Sequence, residues 1–222
     1  YNSNGRGPLL THSVRRTPEA RRIHQIDYYL EMARAIGCTP AGRAVRLLPG
    51  KDSEKTAARL IGAFGIDEGR PLIGLAPGAA YGPAERWFAE PFAAVAGRLI
   101  EATGTQILLF GSGSDRASTA EVGKTTRHRL IDIAGRTNLD EAITLIARCD
   151  LFISNDSGLM HIAGALGRPT IAIFGSTNPA ATSPAGEKSV VIHHECDCSP
   201  SLRQVCPTDF RCMEMIGGDE VY

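Results

Sequence analysis

Apolar positions in this chain recur in two rhythms. In PEARRIHQIDYYLEMARAIG (18–37), residues Ile23, Ile26, Leu30, Ala33 and Ile36 fall at three- and four-residue steps, which predicts a helix opened by Pro18 and stopped by Gly37. PLLTHSV (8–14) is a short strand candidate, while 38–53 reads as an extended linker ahead of a second helix, 54–64, capped by Asp52 or Ser53. From Arg70 the rhythm changes. Continuous apolar runs at 72–76, 106–110, 130–133, 151–153 and 170–174, with 190–193 adding a last strand, alternate with helical patterns near 89–102, 115–124, 139–148 and 157–167. Unbroken apolar strands separated by helices indicate βαβ units and a parallel sheet covered on both faces. The fold expected is therefore α/β and doubly wound, with ligands bound where strands hand over to helices.

The two rhythms divide the chain into 1–65, the end of one domain with a linker, and 66–222, a second domain that carries a cysteine-rich loop at 196–212. The chain starts at Tyr1 without Met and closes on GGDEVY, where an acidic helix start breaks off, so a fragment of a longer protein is expected. Composition excludes several classes of function. Lys+Arg and Asp+Glu balance at 24 each, which gives no global field for nucleic acid, and the local cluster Arg15, Arg16, Arg21, Arg22 reads as a solvated surface. Apolar runs such as 107–110 and 171–174 are strand-sized, far below the roughly 18 residues of a membrane span.

Three strand-end loops carry the candidate chemistry. APGAAYGPAERWF (76–88) follows the first strand, and its small residues let backbone N–H groups approach a ligand ahead of a helix start. Trp87 in that loop reads as a packing residue. FGSGSDRAS (110–118) follows the second strand, and its Asp115 suits either a ribose or base contact or a helix cap. FISNDSGLMHIAGALGRPTIAIFG (152–175) contains the third. There Asp156 can cap a helix, the N–H groups of Ser157, Gly158 and Leu159 form an anion cradle, and His161 lies one turn further on the same face. Two such strand ends in one sheet suit a nucleotide diphosphate.

LAPGAAYGPAERWF, LLFGSGSDR and SNDSGLMHIAGALGRPTIAIFGSTNPAATSP resemble, in order and spacing, the ADP-heptose:lipopolysaccharide heptosyltransferases, most of all their heptosyltransferase II branch, from about Arg70 to Met213. The resemblance implies a GT-B architecture of two Rossmann-like domains, with an ADP-heptose donor on the C-terminal one and a lipid A-linked lipopolysaccharide core acceptor on the other. It implies an inverting glycosyl transfer at the cytoplasmic face of the bacterial inner membrane, with peripheral membrane association and no cofactor required. Carried over, Gly78, Ala79 and Ala80 line the first loop, Asp115 sits near the ribose or adenine, and Asp156, Ser157, Gly158 and His161 surround the diphosphate and sugar. One position departs from the family: Glu85 stands where a Lys is usual, so either Arg86 supplies the positive charge or donor binding is weaker. The family's catalytic base belongs to a segment not present here, so this chain is expected to bind donor without turnover.

CDCSPSLRQVCPTDFRCM (196–213) has the spacing C-x-C-x7-C-x5-C. Cys196, Cys198, Cys206 and Cys212 read either as partly buried free thiols, the commoner outcome, or as ligands of a structural zinc or iron–sulfur site stapling the loop. Two further readings remain open at this stage: a GT-B nucleotide-sugar epimerase that recognises UDP, and a non-enzymatic nucleotide- or metal-binding module.

Overall fold

The structure is a computed structural model that describes residues 7–14 and 23–222. Six parallel strands form one sheet in the order β3-β2-β1-β4-β5-β6: β1 (Leu72–Ala76), β2 (Gln106–Leu109), β3 (Ile131–Asp132), β4 (Leu151–Asn155), β5 (Thr170–Phe174) and β6 (Ser189–His193). Side chains alternate strictly between its faces. Ile73, Leu75, Ile107, Leu109 and Ile153 point to one side, and Leu72, Ala76, Leu108, Phe110 and Phe152 to the other, which is why these strands are apolar without a break. Gly74 makes room between the rings, since a Cβ there would stand 2.5 Å from Phe152 and 3.0 Å from Phe110.

Helices cover both faces. α3 (Ala89–Thr103) and α4 (Arg116–Thr125) bury Phe92, Val95 and Val122 on the first face, joined by Val221 of α9 (Gly218–Val221). α2 (Ser53–Phe64), α5 (Leu139–Ile146) and α6 (Gly158–Ala165) bury Leu60, Leu145, Ile146 and Ala163 on the second. α2 and α3 both stop at a glycine in the left-handed region, Gly65 at φ 65° and Gly104 at φ 67°, which glycine adopts without strain. α7 (Pro179–Thr182) and α8 (Arg211–Glu214) are single turns in the loops beyond β5 and β6.

The early part of the chain differs from its sequence pattern in two places. Gly7–Leu9 form a 3₁₀ turn where a strand is expected: Pro8 has no N–H to give a ladder, and no described strand lies beside it. α1 spans Gln25–Ala35 and is capped by His24, whose Nδ1 accepts the Ile26 N–H at 3.1 Å; the expected start at Pro18 and the four arginines of the basic cluster lie outside the described residues. Because Nδ1 accepts, Nε2 of His24 carries the proton and donates to the Ser183 carbonyl at 2.9 Å. Leu47 N–H bonds the Ala165 carbonyl at 2.9 Å, a second tie between this segment and the sheet unit. Among the described residues no helix is long and apolar enough to cross a membrane.

Candidate ligand site at the strand ends

The strand order reverses between β1 and β4, and in open parallel sheets that reversal opens a crevice at the carboxyl ends of the strands. A cavity of about 350 Å³ lies there. Its small-residue wall is Gly78, Ala79 and Ala80 of the first loop; its polar end is Ser157 and Gly158 at the start of α6; and Phe110, Leu139, Ala142 and Ile162 make an apolar floor. An apolar surface beside exposed backbone donors suits a base linked to an anion.

The first loop is fixed from below by Asn155, the fully buried last residue of β4. Asn155 Oδ1 accepts the Trp87 N–H at 3.0 Å, and Nδ2 donates to the Pro77 carbonyl at 2.8 Å. Trp87 itself is core: it is 2% exposed, its indole N–H donates to the Ile216 carbonyl at 2.9 Å, and it meets Phe92 edge-on. From above, the cysteine-rich loop straps the same segment. The Ala84 N–H donates to the Gln204 carbonyl at 3.0 Å and the Tyr81 hydroxyl to the Leu202 carbonyl at 2.8 Å.

Asp115 lies on the cavity wall as the acidic partner of a capping box, where its Oδ2 accepts the Ser112 N–H at 2.8 Å and the Ser112 hydroxyl at 2.6 Å. Gly78 and Gly111 lie directly against it, and a Cβ on either would come within 2.8 and 2.7 Å of the Asp115 Cβ.

At α6 the cap is Ser157, where the sequence pointed to Asp156. Ser157, in extended backbone, accepts the Met160 N–H on its Oγ at 3.4 Å, and that Oγ lies 2.9 Å from Ser154 Oγ. The N–H groups of Gly158 and Leu159 stand in the first turn, where the helix offers them no acceptor. Freed from capping, Asp156 turns toward α7, and its Oδ2 accepts the Thr182 hydroxyl at 3.3 Å. His161 faces Asp156 rather than the cavity, and Arg86 likewise stays off the cavity wall, donating to the Ala79 carbonyl at 3.5 Å. The structure thus brings Gly78, Ala79, Ala80, Asp115, Ser157 and Gly158 to one cavity and gathers Asp156, His161 and Arg86 beside it.

Titration at this edge is perturbed. Burial, and then the charge of Asp156, push the Glu85 carboxyl up to about 7. Burial also raises Asp156, against the opposing pull of Thr177, His161 and Thr182. Desolvation lowers His161, with the charge of Asp156 opposing.

Thr137, Asn138, Leu139, Ala142 and Ile162 line the cavity without having been singled out from the sequence. A signal for them exists in N-L-D-E, where Asn138 and Glu141 form a capping box that starts α5 at the crevice (2.9 Å in each direction). In the cysteine-rich loop all four thiols are free. Cys196 and Cys198 Sγ lie 3.3 Å apart, Cys206 Sγ accepts the Phe210 N–H at 3.2 Å, and burial, with the neighbouring thiols, pushes Cys212 up to about 11. Among the described residues no three His, Cys, Asp or Glu side chains are grouped so as to hold a metal ion.

The model of glycosyltransferase family 9 (heptosyltransferase) matches residues 4–210. The chain is 44% identical over 127 residues to lipooligosaccharide heptosyltransferase 2 of Haemophilus influenzae, a match covering 55% of this chain and 36% of that protein. It is 42% identical over 133 residues to lipopolysaccharide heptosyltransferase 2 of Escherichia coli, covering 58% and 38%. The structure of the E. coli ADP-heptose lps heptosyltransferase II superposes with a TM-score of 0.70 at 31% identity, over 82% of this chain and 53% of that one. The chain therefore spans well under two thirds of the length of these relatives.

Proposed function

The chain belongs to glycosyltransferase family 9, the heptosyltransferases, and from that membership and the crevice geometry we propose that it is the donor-binding half of an enzyme transferring heptose from ADP-heptose to the lipopolysaccharide inner core. The observation that carries the reading is the cavity between Gly78–Ala80 and the first turn of α6, at the point where the strand order reverses. Its apolar floor of Phe110, Leu139, Ala142 and Ile162 takes the adenine, and the free N–H groups of Gly158 and Leu159, with the Ser157 hydroxyl, take the diphosphate.

In an inverting transfer an acceptor hydroxyl attacks the anomeric carbon of heptose while the bond to the diphosphate breaks. Negative charge then gathers on the leaving ADP. Donors already aimed at that charge bind it more strongly in the transition state than in the ground state, which is how α6 contributes to rate. Asn155 keeps the first loop at its working distance from α6 through the Trp87 and Pro77 bonds. The acceptor is the lipid A-linked core, met at the inner face of the inner membrane by peripheral association.

Calorimetric titration with ADP, UDP and GDP at one ionic strength tests the reading. Saturable binding that favours ADP is expected; equal affinity for the three, or a preference for UDP, would overturn it.

A further inference from the structure

We propose that Cys196 and Cys198 are a redox modification site, a dithiol that closes to a disulfide by exchange with a small uncharged disulfide and reopens on reduction.

A turn beyond β6 sets the pair. The Ser199 N–H donates to the Cys196 carbonyl at 2.9 Å, so Cys196 and Cys198 stand first and third in a four-residue turn. Their Sγ atoms lie 3.3 Å apart. A disulfide bond is about 2 Å long, so the two sulfurs need to close by only roughly 1 Å. Both ends of the turn are anchored. Ser199 Oγ donates to the Gly175 carbonyl at 2.5 Å and lies 3.1 Å from His193 Nε2, while Cys196 packs on the core cluster that contains Ile192 and Met213. The fold therefore holds the thiols together before any oxidant arrives.

The remaining thiols are placed differently. Cys206 Sγ takes the Phe210 N–H at 3.2 Å and lies 3.5 Å from Thr208 Oγ1, and Cys149 and Cys212 are buried. Access favours the pair as well. Cys196 and Cys198 are half-buried, and Cys196 lines a cavity of about 430 Å³ together with His193, Glu195, Asp197 and Pro200. The carboxylates of Glu195 and Asp197 repel anionic reagents at that opening and admit neutral ones.

The hydrogen bond with Cys196, and then burial, raise Cys198, so Cys198 keeps its proton while Cys196 makes the first attack. The Cys196 thiolate attacks one sulfur of the reagent, forming a mixed disulfide and expelling one thiolate. Cys198 then loses its proton and attacks the Cys196 sulfur, which expels the second. Both protons pass to the released thiolates; the chain is oxidised by two electrons and the reagent is reduced to two thiols. The site stands at the root of the loop that straps the crevice wall. Four residues beyond Cys198, Leu202 donates its N–H to the Ser176 carbonyl at 2.9 Å and accepts the Tyr81 hydroxyl at 2.8 Å.

The test treats the full chain with 2-hydroxyethyl disulfide, blocks the remaining thiols with N-ethylmaleimide and maps the peptides by mass. The wild type is expected to give a peptide linked between Cys196 and Cys198, free of reagent and block, and dithiothreitol is expected to restore both thiols. Cys196→Ser and Cys198→Ser each leave the surviving cysteine as a mixed disulfide. The wild-type map decides the matter even where a variant fails to fold. Glutathione disulfide, which is anionic, should form the link about tenfold more slowly, measured against modification of the exposed Cys38. Separate adducts on Cys196 and Cys198 in the wild type overturn the proposal, as does a link to Cys206 or Cys212, and equal relative rates overturn the assigned reagent class. One zinc per purified chain, with both thiols protected until it is chelated, also overturns it, in favour of metal ligation.

Discussion

Asn155 and Trp87 are joined by a hydrogen bond of 3.0 Å from the Trp87 N–H to Asn155 Oδ1, deep beneath the crevice and across 68 residues of chain. This bond, with its companion to the Pro77 carbonyl, couples the end of β4 to the loop after β1, the two strands between which the order reverses. Asn155→Ala strands a buried N–H and a buried carbonyl together. A loss of about 2–3 kcal/mol in urea denaturation is expected, accompanied by weaker ADP binding because the loop is no longer held against α6.

Gly78 is required by proximity. A Cβ there pushes on Asp115 at its Cβ and carboxyl, and Asp115 cannot retreat without releasing Ser112. Gly78→Ala is therefore expected to lower ADP affinity by about tenfold or more, roughly 1.4 kcal/mol, with the far-ultraviolet circular dichroism unchanged. A wild-type affinity in this variant would mean that the wall of the cavity does not touch nucleotide.

Glu85 makes stability depend on pH. Its folded value of about 7 lies above the ordinary 4.5, so its contribution is fully present below about 4.5 and is lost as pH rises through 7. Asp156 acts in the same direction. Glu85→Gln should match the wild type at pH 4 and exceed it at pH 8 by about 1–3 kcal/mol in chemical denaturation. His161, lowered by burial, opposes this on the acid side: the unfolded chain takes up its proton first, and stability falls as pH drops below about 6.5.

The thiols should react in a definite order. Cys38 is exposed and reacts freely with a disulfide reagent. In the loop, burial raises Cys206, but hydrogen bonds from Thr208 and Phe210 outweigh it and hold the thiol below its ordinary value, so Cys206 is expected to lead Cys198 and Cys212, both of which are raised. Cys149, fully buried and raised by desolvation, reacts only on unfolding. Mass-spectrometric mapping of a timed modification checks the order.

Much of the fold was legible in the sequence because its strands are buried on both faces, and a run such as Leu72–Ala76 or Thr170–Phe174 is then apolar throughout. β3 is shorter than the apolar run 130–133 that predicts it: at the sheet edge, Leu130 and Ile133 continue the run, while only Ile131 and Asp132 join the ladder. The cavity wall at Gly78–Ala80 and Ser157–Gly158 followed from small residues after strands. What did not follow was the choice between two adjacent capping residues: Ser157 accepts the Met160 N–H and pairs with Ser154, while Asp156 turns to Thr182, contacts that depend on tertiary packing. Nor does composition reveal that Glu85, a charged residue in a loop rich in glycine and proline, is buried against Asp156; the Asn155 staple that puts it there bridges distant segments.

The most direct test of the central claim is the structure of the chain with ADP bound. The account predicts adenine on the floor formed by Phe110, Leu139, Ala142 and Ile162, with the diphosphate at the N–H groups of Gly158 and Leu159. ADP seated outside the β1–β4 crevice, or with its diphosphate turned away from α6, would contradict it.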